Sequence, residues 1–168
     1  MNIYDFALKM ELDGEQYYFE QAAKVTHPEL RVVLKGLAED EQRHYRIVQQ
    51  LQNQKRVFIE PDPAISAARS IFELAGNKPF IPKDQDSIAK LKDEQRDVYQ
   101  AALRKEEESV RLYKDLKEST ELQSEKDILE KLVQEEESHA EVLGNIIQML
   151  NNVNEWVESA EFYHQKPY

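Results

Sequence analysis

The sequence repeats a set of chemically unusual residues at a fixed offset of 95 positions. Each copy has two glutamates, a tyrosine and a histidine: Glu11, Tyr18, Glu41 and His44 recur as Glu106, Tyr113, Glu136 and His139. Neighbouring apolar positions repeat with them, as Leu34 does with Leu129. The carboxylates and imidazoles therefore stand where the apolar pattern predicts core positions. Burying four acids is unfavourable unless cations neutralise them, and two metal ions would do so.

Composition and charge narrow the class of function. The chain has 168 residues, of which 40% are hydrophobic and 33% charged, and this predicts one globular domain. The net charge of -11 argues against nucleic acid or an anionic membrane surface as a partner. The chain has no cysteine, which excludes disulfides and thiolate-bound metal within it. With no leader sequence and no apolar run of roughly 20 residues, we expect a cytoplasmic protein.

Apolar periodicity predicts four long helices and no strand. Their approximate bounds are Ile3 to Lys24, the Thr26–Glu29 turn to Asn53, Ser87 to Ser119, and Ser124 to Asn152. The turn is typical of a capping box, in which Thr26 caps the second helix and Glu29 reaches back to it.

The order of these helices predicts an all-α, ferritin-like four-helix bundle over residues 1–152. Two hairpins, at about 3–53 and 87–152, are joined by a long crossover at 54–86, and this is the ferritin-like connectivity. The crossover holds four of the six prolines, so a helix is not expected to run straight through it. The tail at 153–168 is rich in aromatic residues, and we expect it to pack on the bundle or on a second subunit.

The spacing of the acids and histidines favours a dinuclear metal site. A Glu at i and a His at i+3 lie on one helix face, so both can approach one ion. One such pair on a charged helix is usually a solvated surface pair. Two pairs at the same offset within an apolar seam, with a matching Glu from each remaining helix, favour metal; a metal-free bundle descended from such a protein is the alternative. The predicted ligands are Glu11, Glu41, His44, Glu106, Glu136 and His139.

Each ion would receive one imidazole nitrogen, one carboxylate of its own and two shared carboxylates. This mixture of ligands suits iron(II) and manganese(II). Tyr18 and Tyr113 follow Glu11 and Glu106 by seven residues, about two turns. We expect each buried hydroxyl to orient a ligand carboxylate, although a core tyrosine bonded to another acceptor would give the same pattern.

Several other acids and histidines are predicted to lie outside the site. Glu15 is expected to be solvated or to lie behind the ligands, since the repeat places Val110 at the matching position. The acids that flank the ligands point off the apolar stripe and predict a solvated face: Glu107, Glu108, Glu135 and Glu137. His27 and His164 lack a carboxylate at ligand spacing.

At these residues the chain resembles the rubrerythrin-like branch of the ferritin-like superfamily. The resemblance rests on Glu11 to Tyr18, Leu37 to His44, Glu106 to Tyr113, and Glu136 to His139. It implies a non-haem di-iron centre that reacts with hydrogen peroxide or oxygen, in a homodimer or larger homo-oligomer. Manganese or zinc are the other metals that such a site would bind.

Two departures from the family pattern bear on the reaction. Rubrerythrins carry a rubredoxin module with iron held by four cysteines, and a chain without cysteine needs an external electron donor such as a rubredoxin. The family's additional glutamate, one turn after the third-helix ligand, is Ser109 here. This argues against rubrerythrin-type ligand exchange and leaves two expected functions. One is a peroxide- or oxygen-reducing oxidoreductase; the other is iron handling of the ferroxidase type without sustained turnover.

Overall fold

The computed structural model describes residues 2–53 and 85–164, and within these ranges the chain forms helices and no strand. The helices are α1 Ile3–Lys24, α2 Pro28–Gln52, α3 Gln85–Asp93, α4 Arg96–Ser119 and α5 Gln123–His164. This confirms the all-α fold class. The predicted crossover lies outside the described residues except at its end, where α3 begins.

Two helical hairpins form the body of the structure. Helix α1 packs along α2, and α4 packs along α5. The core consists of two apolar clusters, one at each end of the bundle. Ala22, Leu34 and Leu143 belong to the first, near the α1–α2 turn, whereas Leu51 and Leu129 belong to the second, near the α4–α5 turn. The layer between these clusters is where the repeated acids and histidines lie.

The predicted third helix is two helices in the structure, because the chain breaks at Glu94 and Gln95. The Glu94 carboxylate accepts hydrogen bonds from the Thr26 amide at 2.6 Å, the Thr26 hydroxyl at 2.7 Å and the His27 amide at 2.9 Å. The predicted capping box is therefore wrong. His27 is the N-cap of α2 and makes no side-chain cap bond, since Glu94, in the break between α3 and α4, accepts the hydrogen bonds of the turn.

Helix α5 is longer than predicted and continues past Asn152 to His164. The stretch after Gly144 contains no glycine or proline as far as His164, so nothing in the backbone chemistry ends the helix earlier. Val153 is buried, which anchors the first turn of this extension. Packing of the later aromatic side chains stays a prediction. Across the described helices, none is long and apolar enough to cross a membrane.

Candidate metal centre

A layer of buried polar side chains separates the two apolar clusters, and all four long helices contribute to it. Each of the six predicted ligands is at most 4% exposed. Their positions are Glu11 on α1, Glu41 and His44 on α2, Glu106 on α4, and Glu136 and His139 on α5. The structure therefore brings together all six residues that the repeat singled out.

These side chains form two groups of four ligand atoms. The first group is Glu11, Glu41, His44 and Glu136; the second is Glu41, Glu106, Glu136 and His139. Within each group the ligand atoms lie within 4.8 Å of one another. Glu41 and Glu136 belong to both groups, so each group has one imidazole, one carboxylate of its own and two shared carboxylates. The two imidazole rings stack with their centroids 5.6 Å apart.

The carboxylate oxygens that lack a hydrogen bond test whether metal fits the cluster. One oxygen of each carboxylate is buried without a hydrogen bond: Glu11 Oε2, Glu41 Oε1, Glu106 Oε2 and Glu136 Oε2. Each faces an imidazole Nδ1 at 3.2–3.7 Å, so two imidazoles are the only cationic groups that the described residues place against these four oxygens. Buried carboxylate oxygens are costly unless a positive partner meets them. Carboxylates with imidazoles are a ligand set for divalent iron, manganese or zinc. The residues present therefore fit a pair of divalent metal ions.

The pKa values of the cluster glutamates also fit a metal site. Burial, joined by the charges of Glu106 and Glu11, raises the pKa of Glu136 to about 7. Burial and neighbouring carboxylates also raise the pKa of Glu41 well above its usual value. Protons would therefore occupy the cluster, and a metal that binds there must displace them.

The pKa values of both histidines are raised as well. Burial alone would lower their pKa values, but the charge of Glu136 and hydrogen bonds to carboxylates raise the pKa of His44 well above its usual value. The hydrogen bond to Asp40, joined by the carboxylates that face Nδ1, does the same for the pKa of His139. His139 also lowers the pKa of Glu106, although burial alone would raise that pKa.

Two tyrosine hydroxyls reach the cluster from opposite hairpins. Tyr18 on α1 donates to Glu106 Oε1 on α4, and Tyr113 on α4 donates to Glu11 Oε1 on α1. Burial raises the pKa of both tyrosines, so both remain protonated donors. Each partner is a predicted ligand carboxylate, as the sequence led us to expect. The two bonds are equivalent under an approximate two-fold relation between the hairpins.

The outer nitrogens of both imidazoles bond to acids on the opposite hairpin. His44 Nε2 lies 2.7 Å from Glu135 Oε2, and His139 Nε2 lies 3.2 Å from Asp40 Oδ2. Arg43 joins these two acids, with Nη2 2.5 Å from Glu135 and 3.3 Å from Asp40. Such outer carboxylates fix the orientation of ligand imidazoles.

The placement of Glu135 corrects the sequence reading. The sequence predicts a solvated position for Glu135, but its side chain is only 13% exposed, because it turns toward α2 and meets Arg43 and His44. Asp40 was not singled out at all. The offset of 95 residues that relates the ligands also relates Asp40 to Glu135, and this was the available signal.

The remaining acids follow the expectation more closely. Glu107, Glu108 and Glu137 are exposed. Glu15 is half-buried and accepts a hydrogen bond from Gln42 at 3.1 Å, away from the cluster. His27 lies in the α1–α2 turn, and nothing is described of the His164 side chain.

A groove between α1 and α4 reaches the cluster from one side. Its volume is about 480 Å³, and Tyr18, Glu41 and Glu106 are among the residues that line it. Gly14 and Ser109, which also line it, follow Glu11 and Glu106 by three residues. A Cβ atom at Gly14 would lie 2.5 Å from Glu41 Oε2. The glycine therefore leaves the space in which the Glu41 carboxylate lies.

A comparison of the sequence with known families shows to which family the chain belongs. The family model described as Rubrerythrin matches residues 2–147, a range that includes all six residues of the cluster. No curated protein and no solved structure matches the chain.

Proposed function

Because the chain belongs to the rubrerythrin family, we propose that it is a non-haem di-iron oxidoreductase that reduces hydrogen peroxide, or oxygen, with electrons from an external donor. One observation carries the proposal. The two groups of ligand atoms share Glu41 and Glu136, so they would hold two ions side by side in a buried layer. Two iron(II) ions would supply the two electrons that reductive cleavage of one O–O bond requires.

Each residue of the cluster has a distinct part in this proposal. Glu41 and Glu136 would hold both ions, whereas Glu11 and Glu106 would each serve one. His44 and His139 would each give one nitrogen, oriented by the outer acids through Nε2. The ligand set suits iron, with manganese or zinc as other bound species.

The tyrosines and the groove support the same reaction. Tyr18 and Tyr113 hold the carboxylates of Glu106 and Glu11 in place through their hydroxyls. Tyr18 also lines the groove, so its hydroxyl is a proton source close to the point where an oxidant enters. The other side of the cluster is covered by Arg43 and its two acids, which keeps water from the imidazoles.

The reducing equivalents come from outside the chain in this proposal. The sequence has no cysteine to hold the iron of a rubredoxin module, so we propose a separate donor such as a rubredoxin. We also propose a homodimer or larger homo-oligomer.

Iron handling of the ferroxidase type is the second candidate. Ser109 stands where rubrerythrins have an additional glutamate, and its hydroxyl bonds to the Lys105 carbonyl at 3.0 Å and to Met10 Sδ at 3.4 Å. A cluster without that carboxylate would keep one ligand set in both oxidation states. This favours a single oxidation event over repeated cycling.

The first experiment measures how many metal ions bind. Purified protein should bind two iron(II) ions per chain. Glu106→Gln should reduce this to one tightly bound ion, because Glu106 belongs to one group, whereas Glu136→Gln should weaken both sites. Glu137→Gln is the matched control, since Glu137 is exposed on the adjacent position. Two ions retained in Glu136→Gln would contradict the proposed site.

The second experiment separates the two functions. Iron(II)-loaded protein is mixed rapidly with hydrogen peroxide or with oxygen, and the iron(III) absorbance is followed. Rubredoxin and its reductase are then added to the oxidised protein. Faster oxidation by peroxide followed by re-reduction supports the oxidoreductase. Oxidation without re-reduction favours iron handling, and no faster reaction with peroxide contradicts peroxide reduction.

A further inference from the structure

The groove between α1 and α4 is much larger than hydrogen peroxide needs. A water molecule takes up about 30 Å³ of liquid, and hydrogen peroxide is roughly the size of two waters. The groove has a volume of about 480 Å³. This is several times the space for peroxide and lies within the range of about 300–1,000 Å³ for pockets that bind organic ligands. Entry of a small oxidant alone does not account for its size.

The lining suits an uncharged ligand with an apolar body. Phe6, Met10 and Leu112 supply apolar surface along the groove. The charged residues that line it are three bases and three acids at its rim, in addition to the cluster glutamates: Lys9, Lys105, Arg111, Asp13, Glu108 and Asp115. Their formal charges cancel, so the rim offers no net attraction to an anion or a cation.

The groove ends on one of the two ligand groups. Among the cluster residues it is lined by Glu41 and Glu106, which belong to the group that contains His139. Gly14 and Ser109 lie beside this point, and both are buried. Because both are small, the groove continues inward to the carboxylates. A ligand in the groove would therefore have one end at the reacting centre and the rest against apolar side chains.

On the basis of the proposed peroxide reduction, we infer that this groove binds uncharged organic hydroperoxides and that they are substrates. The organic group would lie against Phe6, Met10 and Leu112, with the O–O bond toward Glu41 and Glu106. The reaction balances as ROOH + 2 H⁺ + 2 e⁻ → ROH + H₂O. The O–O bond breaks, the terminal oxygen leaves as water and the other stays in the alcohol. The metal pair held by the cluster residues would supply both electrons, and the external donor would restore them.

Binding is tested without turnover, on the full chain loaded with zinc, which does not change oxidation state. The probe is 2-phenyl-2-propanol, the alcohol formed from cumene hydroperoxide, and its binding is followed by saturation-transfer NMR. We expect a signal from the wild type that Leu112→Trp reduces at least tenfold by filling the groove. Met10→Trp provides a second filling variant. Leu12→Trp is the matched control, because Leu12 is 53% exposed and is not among the residues that line the groove.

Kinetics then separate this inference from the function on which it rests. Iron(II)-loaded protein is mixed with hydrogen peroxide or with cumene hydroperoxide, and the ratio of the two oxidation rates is compared. We expect the cumene hydroperoxide rate to fall at least tenfold relative to the peroxide rate in Leu112→Trp, with the ratio kept in Leu12→Trp. Reaction with hydrogen peroxide alone, or no probe binding to the wild type, overturns the inference. Failure of both oxidants overturns the proposed function itself.

Discussion

The two sides of the carboxylate–histidine cluster are built on the same repeat, yet one is closed and the other is open. On the α2–α5 side Arg43 spans Asp40 and Glu135, and these acids hold both imidazoles. On the α1–α4 side Gly14 and Ser109 occupy matching positions, and a groove reaches the carboxylates. The repeat sets the positions of the predicted ligands, and the residues around them determine which side is accessible.

The closed side also breaks the symmetry. The residue that matches Arg43 at the offset of 95 is Ser138, so one arginine bridges both outer acids where two-fold symmetry would provide two. The acids themselves remain a matched pair. We infer that the cluster needs matching acids and histidines in both halves of the repeat. A single arginine in the first half, Arg43, is enough to close the α2–α5 side.

The largest expected effect is the pH dependence of the free energy of unfolding, which the buried acids and histidines of the cluster produce. The pKa of Glu136 is about 7 in the folded chain and near 4.5 in the unfolded chain. Between these values the metal-free folded chain binds more protons, so its free energy of unfolding should fall by about 3 kcal/mol as pH rises from 4.5 to 7. The raised pKa values of Glu41, His44 and His139 act in the same direction, the histidines from pH 6.5 upward.

Saturating zinc should reverse this slope. The metal displaces the protons, so the folded chain then binds fewer protons than the unfolded chain up to about pH 6.5, and stability rises with pH. Urea unfolding of chelator-treated and zinc-loaded protein at pH 5, 6 and 7 measures both slopes. Parallel slopes for the two samples would show that metal does not replace protons at these side chains.

The second prediction concerns the removal of Arg43 from the closed α2–α5 side. Arg43→Ala should lower the free energy of unfolding by about 3 kcal/mol, because it leaves Asp40 and Glu135 without their shared cation. Arg46→Ala is the control one turn away, where an exposed arginine should cost less than about 0.5 kcal/mol. Urea unfolding of the two variants and the wild type gives the comparison. Equal losses would mean that Arg43 acts only as a surface charge.

The sequence predicted the ligand cluster better than its surroundings. The six predicted ligands lie in one buried cluster, and they stood out in the sequence because acids and histidines at a constant offset interrupt an apolar pattern. Asp40 and Glu135 share that offset, but each precedes its ligand glutamate and lies off the stripe, and only the packing of α2 against α5 turns them inward. Their partners lie on another helix, and the periodicity of one helix does not show which residues it contacts on a second.

The misplaced helix ends have a similar cause. The break at Glu94 depends on its bonds to Thr26 and His27, far away in sequence. Helix α5 is longer than predicted because the aromatic residues after Asn152 favour a tail packed on the bundle, whereas no glycine or proline ends the helix there. The width of the groove depends on the separation of α1 from α4, which no local pattern encodes.

The third prediction concerns a substitution that narrows the groove on the α1–α4 side, next to the carboxylates. Gly14→Ala places a Cβ 2.5 Å from Glu41 Oε2, so the shared carboxylate must move and metal affinity should fall about tenfold. Gly144→Ala is the control, since a Cβ there meets nothing within 4 Å. It should stabilise α5 by up to about 1 kcal/mol and leave metal affinity unchanged. Competition titration with a chelator dye measures affinity, and unchanged affinity in Gly14→Ala would mean that Glu41 shifts without consequence.

The smallest expected difference is that between the two tyrosines, which make equivalent bonds but differ in access. Tyr113→Phe leaves Glu11 Oε1 without its donor in the buried interior and should cost about 2 kcal/mol of unfolding free energy in the metal-free protein. Tyr18→Phe removes the same bond from Glu106, but water in the groove can replace the hydroxyl, so the cost should be nearer 1 kcal/mol. Only Tyr18→Phe should slow oxidation by peroxide, because only Tyr18 of the two is found in the groove lining. Urea unfolding and rapid mixing of both variants test the difference, and equal effects on both measurements would place the two hydroxyls in equally enclosed surroundings.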